Sequence, residues 1–209
     1  MTSVVVLDYG SGNLRSAQRA LEHVGATVQV SSDLTLAKNA DGLVVPGVGA
    51  FAHCVEAVIK MGADKVIDQR LARNLPVLGV CVGMQMLFSS GIEGGEETHG
   101  LDQLPGIVTK LESPRVPHMG WNQVKVDSGS SLFAGIEDSD FYFVHSYAVQ
   151  TFKSTVEPPF QSPKIHKTVH GSEFVSAIEN GPLSAVQFHP EKSGDAGLHL
   201  LENWLMSIQ

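Results

Sequence analysis

The stretch Pro76-Val-Leu-Gly-Val-Cys81-Val-Gly83-Met-Gln85-Met-Leu-Phe88 sets a cysteine between two glycines where an apolar strand pattern gives way to a helical one. This is the layout of a nucleophile elbow. The chain turns sharply off a strand end, the glycines relieve crowding, and the side chain at the apex stands above the N-terminus of the next helix. That helix end favours a thiolate. A free cysteine is more often a small buried hydrophobe, so reading Cys81 as a nucleophile depends on what the rest of the chain offers.

Working outward, Val4-Val-Val-Leu-Asp-Tyr9 is an apolar run that ends in Gly10-Ser-Gly12-Asn13, after which Leu14, Ala17, Leu21 and Val24 recur at helical spacing. That order gives a strand, a glycine turn and an amphipathic helix. Thr27-Val-Gln-Val30, Gly42-Leu-Val-Val45 and residues 77–80 read as further strands, with helical patterns through Val55 and Val58, through Val66, Ile67 and Leu71, and around Met84 to Phe88. Strands alternating with helices predict βαβ units and a parallel sheet. Residues 89–100 read as a loop, and beyond them strands follow without intervening helices, at 107–111, 124–126, 141–149 and 174–178. The last of these pairs through Glu179-Asn-Gly-Pro182 with 184–188, because Asn-Gly marks a tight hairpin. A closing helix carries Leu198, Leu201, Leu205 and Ile208 on one face. The expected fold class is α/β, an open mixed sheet with a parallel N-terminal βαβ part and a largely antiparallel C-terminal half. In such sheets ligands bind beyond the carboxyl ends of the parallel strands, where Cys81 falls.

A chain of 209 residues that is 43% hydrophobic can bury one sizeable core but hardly two, so a single domain over residues 1–209 is expected. The net charge is −8, from 22 acidic against 14 basic residues. No basic stripe is present that could neutralise a phosphate backbone, which argues against nucleic acid as a partner. The N-terminus lacks a basic leader pattern, and no apolar stretch approaches the roughly 18 residues a membrane span needs. The two cysteines, Cys54 and Cys81, form neither a metal-type pair nor a disulfide framework. Together these features predict a soluble cytoplasmic protein.

A cysteine nucleophile needs a base, and the base needs an orienting group. Val186-Gln-Phe-His189-Pro-Glu191-Lys192-Ser193 offers both: His189 and Glu191 are two apart at a strand end, and a persisting strand would send both side chains to one face. Acyl transfer also needs preorganised donors for the oxyanion. One is the backbone N–H of Val82. A second is an amide of Val48 or Gly49 in Pro46-Gly-Val-Gly49-Ala-Phe51. The same glycines spell Gly-x-Gly-x-x-Ala, a dinucleotide-turn skeleton, but the preceding proline and the helical setting of Asp68 argue against that reading. Gly10-Ser-Gly12 lacks a third glycine. Cys54 sits in a helical pattern and reads as a packing residue. The nine histidines include no His-Glu-x-x-His, so no metal site or other cofactor is expected.

With Gly-Val-Cys81-Val-Gly-Met-Gln85 and Phe-His189-Pro-Glu191 the chain resembles the class I (triad) glutamine amidotransferases. Asp8-Tyr-Gly-Ser-Gly-Asn-Leu14, Pro46-Gly-Val-Gly-Ala-Phe51, Pro117-His-Met-Gly-Trp-Asn122 and Phe143-Val-His-Ser-Tyr147 narrow the resemblance to the family of glutaminase subunits of imidazole glycerol phosphate synthase. It runs from the first strand to the last helix, and the His-Met-Gly-Trp-Asn stretch is its most specific part. The resemblance implies Cys81 as nucleophile, His189 as base and acid, and Glu191 as its orienter. It implies that Gln85, Glu93 and the backbone of His145, Ser146 and Tyr147 grip the α-amino and α-carboxylate groups of glutamine. His118, Met119, Trp121, Asn122, Tyr142 and Lys192 are implied to face a partner, a (β/α)₈-barrel cyclase subunit that receives ammonia for histidine biosynthesis. Ala148 stands where many members carry a second aromatic. Two other readings stay open at this point: a glutaminase serving another synthase, such as those for anthranilate or pyridoxal phosphate, and a binding module that kept the fold and lost catalysis.

Overall fold

The structure, a computed structural model, describes residues 1–153 and 162–208. The first part alternates β1 (Ser3–Leu7), α1 (Leu14–His23), β2 (Thr27–Ser31), α2 (Leu34–Asn39), β3 (Gly42–Gly47), α3 (Phe51–Met61), α4 (Ala63–Ala72), β4 (Val77–Cys81) and the short α5 (Val82–Met86). Then follow β5 (Phe88–Glu93), β6 (Glu96–His99), β7 (Leu104–Lys110), β8 (His118–Gln123), β9 (Asp140–His145) and β10 (Tyr147–Val149). The chain closes with β11 (Lys164–His170), β12 (Ser172–Asn180), β13 (Leu183–Val186), a 3₁₀ turn (Pro190–Lys192) and α6 (Gly194–Met206).

A seven-stranded sheet runs in the order β11-β12-β13-β4-β3-β1-β2. From β2 to β13 neighbouring strands are parallel, while β12 and β11 are antiparallel additions at one edge. Every residue of β3 and β4 is buried, the continuous apolar run of strands covered on both faces. A smaller mixed sheet has the order β10-β7-β5-β6, and β8 and β9 form an antiparallel ribbon. The fold is therefore α/β with mixed open sheets.

β13 leaves the β12 hairpin and lies parallel to β4, with Val186 beside Val80. Chain that is distant in sequence thereby exits both strands at the same sheet end. That single register brings residues 187–191 to Cys81.

Two features lock the central strands, one at the Cys81 end and one at the opposite end. Gly83 and Gly47 let the start of α5 press onto β3, since a Cβ on Gly83 would collide with the Val45 carbonyl and one on Gly47 with the Gly83 amide. Arg70, fully buried on α4, donates to the carbonyls of Ala37, Lys38, Ala40, Asp41 and Pro76 at 2.8–3.3 Å. It satisfies the end of α2 and the entries to β3 and β4 at once. Burial, with Arg73 adding like charge, pulls its pKa down to about 10.

Several expectations are corrected. Residues 89–100 are a β-hairpin, β5 and β6, whose alternation is masked by polar and glycine residues. The strand expected at 124–126 lies earlier, in β8, and Lys125 keeps only an isolated bridge to Lys167. The run 141–149 is broken at Ser146 into β9 and β10, which join different sheets. The helix placed around Met84 to Phe88 ends at Met86, and Phe88 opens β5. β11 and α2 carried no pattern strong enough to mark them; α2 is short and held by Asp33, whose carboxylate accepts from the Thr35 N–H at 2.7 Å.

Candidate active site

Cys81 ends β4 with φ 56° and ψ −117°, a conformation that β-carbon crowding makes rare outside glycine. The turn holds the residue at the mouth of α5 in a nearly buried setting, 4% exposed. Strain of this kind persists only where surroundings impose it, and here the Gly47–Gly83 contact does so.

His189 and Glu191 reach each other by a route other than strand alternation. β13 stops at Val186, and Pro190 opens a 3₁₀ turn that folds Glu191 back toward the imidazole. The result is His189 Nδ1 at 2.8 Å from Glu191 Oε1, both side chains nearly buried. This engages Nδ1 and leaves Nε2 for the cavity. Burial works against a charge on His189, but the pull of the Cys81 sulfur and of Glu191 outweighs it and raises the pKa to about 9. Asn13, in a left-handed conformation at the end of the first βα turn, donates to the same Glu191 oxygen at 2.9 Å.

A cavity of about 340 Å³ opens in front of these groups, lined by Val48, Gly49, Cys81, Val82, Gln85, Glu93, Val144, His145, Ser146, Tyr147, His189 and Lys192. Of these only Val144 was not singled out in the sequence. Gln85 is buried and donates through Nε2 to Tyr147 O at 2.8 Å and to Gln187 Oε1 at 2.9 Å. Gln187 Nε2 in turn lies 3.8 Å from Cys81 Sγ. Glu93 Oε2 accepts from the Phe51 N–H at 2.9 Å, so its carboxylate sits at the N-terminus of α3. A larger open groove of about 490 Å³ lies along Asn122–Val126 and Lys167–Val169 and is lined by neither cysteine nor histidine.

The segment between β3 and α3 is gripped by side chains. Val48 N–H donates to Ser11 Oγ at 3.1 Å, Val48 O accepts from Cys54 Sγ at 3.3 Å, and Pro46 O accepts from Tyr9 Oη at 2.6 Å. In this conformation the Val48 amide is engaged with Ser11. Cys54 is buried as expected, but its thiol also holds the Val48 carbonyl, and burial pushes that thiol's pKa up.

Alternation along β8 divides the residues expected to face a partner. Met119 and Trp121 point outward, 63% and 57% exposed, and the Trp121 ring meets Tyr142 edge-on at 5.8 Å. His118 is corrected: it is 3% exposed and points inward, with Asn122 half-buried on the same side. Ala148 is fully buried in β10, facing the core and not the cavity. Asn13 and Gln187 lie inside the Asp8–Leu14 and Val186–Ser193 stretches but carry no signal of their own that marks them as site residues; Asn13's place in the turn after a parallel strand was the one available hint.

The family model for glutamine amidotransferase class-I matches residues 5–208. Among relatives, the imidazole glycerol phosphate synthase subunit HisH of Nocardia farcinica is 55% identical over 99% of this chain and 98% of its own length. That of Mycolicibacterium paratuberculosis is 56% identical over 97% of each chain. PurLQS from Thermotoga maritima shares the fold with a TM-score of 0.72 at 18% identity over 100% of both chains. The glutaminase domain of Trypanosoma brucei CTPS does so with a TM-score of 0.65 at 17% identity, over 100% of this chain and 93% of that one. The chain belongs to the class I glutamine amidotransferases and, within them, to the HisH family of imidazole glycerol phosphate synthase subunits.

Proposed function

We propose that this chain is the glutaminase half of imidazole glycerol phosphate synthase, a single catalytic domain over residues 1–209 that works in the cytoplasm. The observation that carries the reading is Cys81 on a strained elbow, in one cavity with a His189 that Glu191 holds from behind. Glutamine lies with its amide over Cys81 and its α-amino and α-carboxylate groups toward Glu93, Gln85 and the 145–147 backbone. The Cys81 thiolate adds to the side-chain carbonyl, and backbone amides take the negative oxygen. His189 Nε2–H protonates the amide nitrogen, the C–N bond breaks, and ammonia leaves with Cys81 acylated as a γ-glutamyl thioester. Water, deprotonated by His189, then displaces the thiolate and releases glutamate.

Ammonia released into water at neutral pH is protonated and lost as a nucleophile, so the donor needs a sealed path to an acceptor enzyme. The acceptor we assign is a (β/α)₈-barrel cyclase subunit, docked over Met119, Trp121, Tyr142 and Lys192, which makes imidazole glycerol phosphate and aminoimidazole carboxamide ribotide. The grip of Ser11 and Cys54 on Val48 supports a resting state from which the oxyanion donor is released when the partner is loaded. Incubation with a glutamine-like electrophile, followed by intact-mass and peptide analysis, tests the chemistry. One adduct on Cys81 supports it, and labelling of Cys54 or of neither cysteine sinks it.

A further inference from the structure

A file of polar side chains runs inward from β8 to the cavity wall. Asn122 Nδ2 lies 3.2 Å from His118 Nε2, His118 Nδ1 lies 3.0 Å from His145 Nε2, and His145 Nδ1 lies 2.9 Å from Tyr147 O. The direction of each bond follows from the inner end. A carbonyl only accepts, so His145 Nδ1 carries the hydrogen; in a neutral ring Nε2 is then the acceptor. Burial keeps both rings neutral, lowering the pKa of His145 to about 3 and that of His118 to about 4. His118 therefore donates from Nδ1 and accepts the Asn122 amide at Nε2.

Tyr147 O receives a second donor, Gln85 Nε2, and through Gln187 that branch ends at Cys81 Sγ. Both branches donate into one carbonyl, so no proton can pass along the file. What it can transmit is position. His118 is stacked between Phe143 at 4.7 Å and His170 at 4.1 Å, and Asn122 is held at its outer end by Val169 O at 3.1 Å. A buried polar network in which every member has its partner fixes one arrangement, because each alternative leaves an unpaired group.

We propose that Asn122, His118 and His145 are positioning residues for glutamine hydrolysis, tying the register of β8, whose outer face bears Met119 and Trp121, to the Tyr147 edge of the cavity and through Gln85 and Gln187 to Cys81. The inference rests on the reading of this cavity as the glutamine site.

The test compares His118→Phe, which keeps the ring stack and removes both bonds, with His118→Asn, which can keep a donor toward His145. The half-exposed Asn122→Ala is a second probe that leaves the core intact. In the complex with a cyclase subunit, His118→Phe raises the glutamine KM about tenfold, as loss of a buried bond worth roughly 1.4 kcal/mol does, with kcat falling less. His118→Asn and Asn122→Ala raise KM about threefold, near the lower end of the same range. Nitrogen-15 spectra of the wild type show both rings neutral with the hydrogen on Nδ1. An unchanged KM in all three variants, or hydrogens on Nε2, overturns the proposal. Should the wild-type complex itself release no glutamate, the glutaminase reading has failed. The spectra, together with the rate of Cys81 alkylation by iodoacetamide in wild type and His118→Phe, then decide the file on their own: a changed rate supports it and equal rates overturn it.

Discussion

Asn13 Nδ2 and Glu191 Oε1 stand 2.9 Å apart across 178 positions of sequence, and the same oxygen accepts from His189. The first βα turn of the molecule thus fixes the last member of the proposed Cys81–His189–Glu191 set. A carboxylate with two donors on one oxygen has little freedom to swing, so the imidazole it holds is oriented before glutamine arrives.

Removing that second donor has a predictable effect. Asn13→Ala lowers kcat by about tenfold, the equivalent of one lost hydrogen bond to a charged group, while KM changes little. Asn13→Asp is worse, because it sets a second carboxylate against Glu191. Steady-state kinetics of the two variants with the partner present check this order, and equal activity of both would remove Asn13 from the account.

The charge on His189 sets a pH dependence. Its pKa in the fold, about 9, lies above the ordinary 6.5, so the stabilisation it contributes is complete below about 6.5 and is lost as pH rises through about 9. Glutaminase activity follows the same limb, since the imidazolium must supply the proton to departing ammonia. In Glu191→Gln, burial faces only the pull of Cys81, and the limb moves to lower pH with kcat reduced by about 10²-fold or more. A pH–rate profile of both proteins reads the shift; coincident limbs would contradict the role given to Glu191.

The hold on Val48 predicts a gain of activity. Ser11→Ala frees the Val48 N–H, and the chain without its partner then releases glutamate several-fold faster, about 1 kcal/mol in the balance of resting and active conformations. Glutamate assays on the partner-free protein check it. A Ser11→Ala protein no faster than wild type would show that Ser11 does not restrain the segment.

Two changes cost stability, and the first also disturbs the turn that holds Cys81. Gly83→Ala drives a methyl into the Val45 carbonyl and costs about 2 kcal/mol or more. Arg70→Met strands the carbonyls that end α2 and open β3 and β4, for a loss of about 3 kcal/mol or more. Urea unfolding midpoints measure both, and a midpoint within error of wild type for either would mean the contact relaxes freely.

How much of this was legible in the sequence depended on range. The parallel half was readable because strands such as 42–45 and 77–80 are apolar on both faces and glycines mark their ends. Cys81 and the His189-Pro-Glu191 segment carried their own local signatures, whereas Gln85, Glu93 and residues 145–147 of the cavity lining followed only from the family resemblance. The partnership of Asn13 with Glu191, and of Gln85 with Gln187, was not readable. Each depends on the register of β13 beside β4, which carries residues 187–191 to the sheet end where α5 begins and the turn after β1 lies, with no spacing rule between them. The hairpin at 88–99 was hidden because serines and a glycine interrupt the apolar alternation of its first strand and its second is polar throughout, and the split at Ser146 because an apolar run does not show where a chain changes sheets. His118 was misplaced for a related reason: its motif is contiguous, whereas a strand sends alternate residues to opposite sides.

The most direct measurement is glutamate release from glutamine by the purified chain, alone and with a cyclase barrel subunit carrying its nucleotide ligand, with Cys81→Ala as control. The account predicts little turnover alone, strong turnover in the loaded complex and none in the variant; turnover that persists in Cys81→Ala, or that is as fast without the partner as with it, contradicts it.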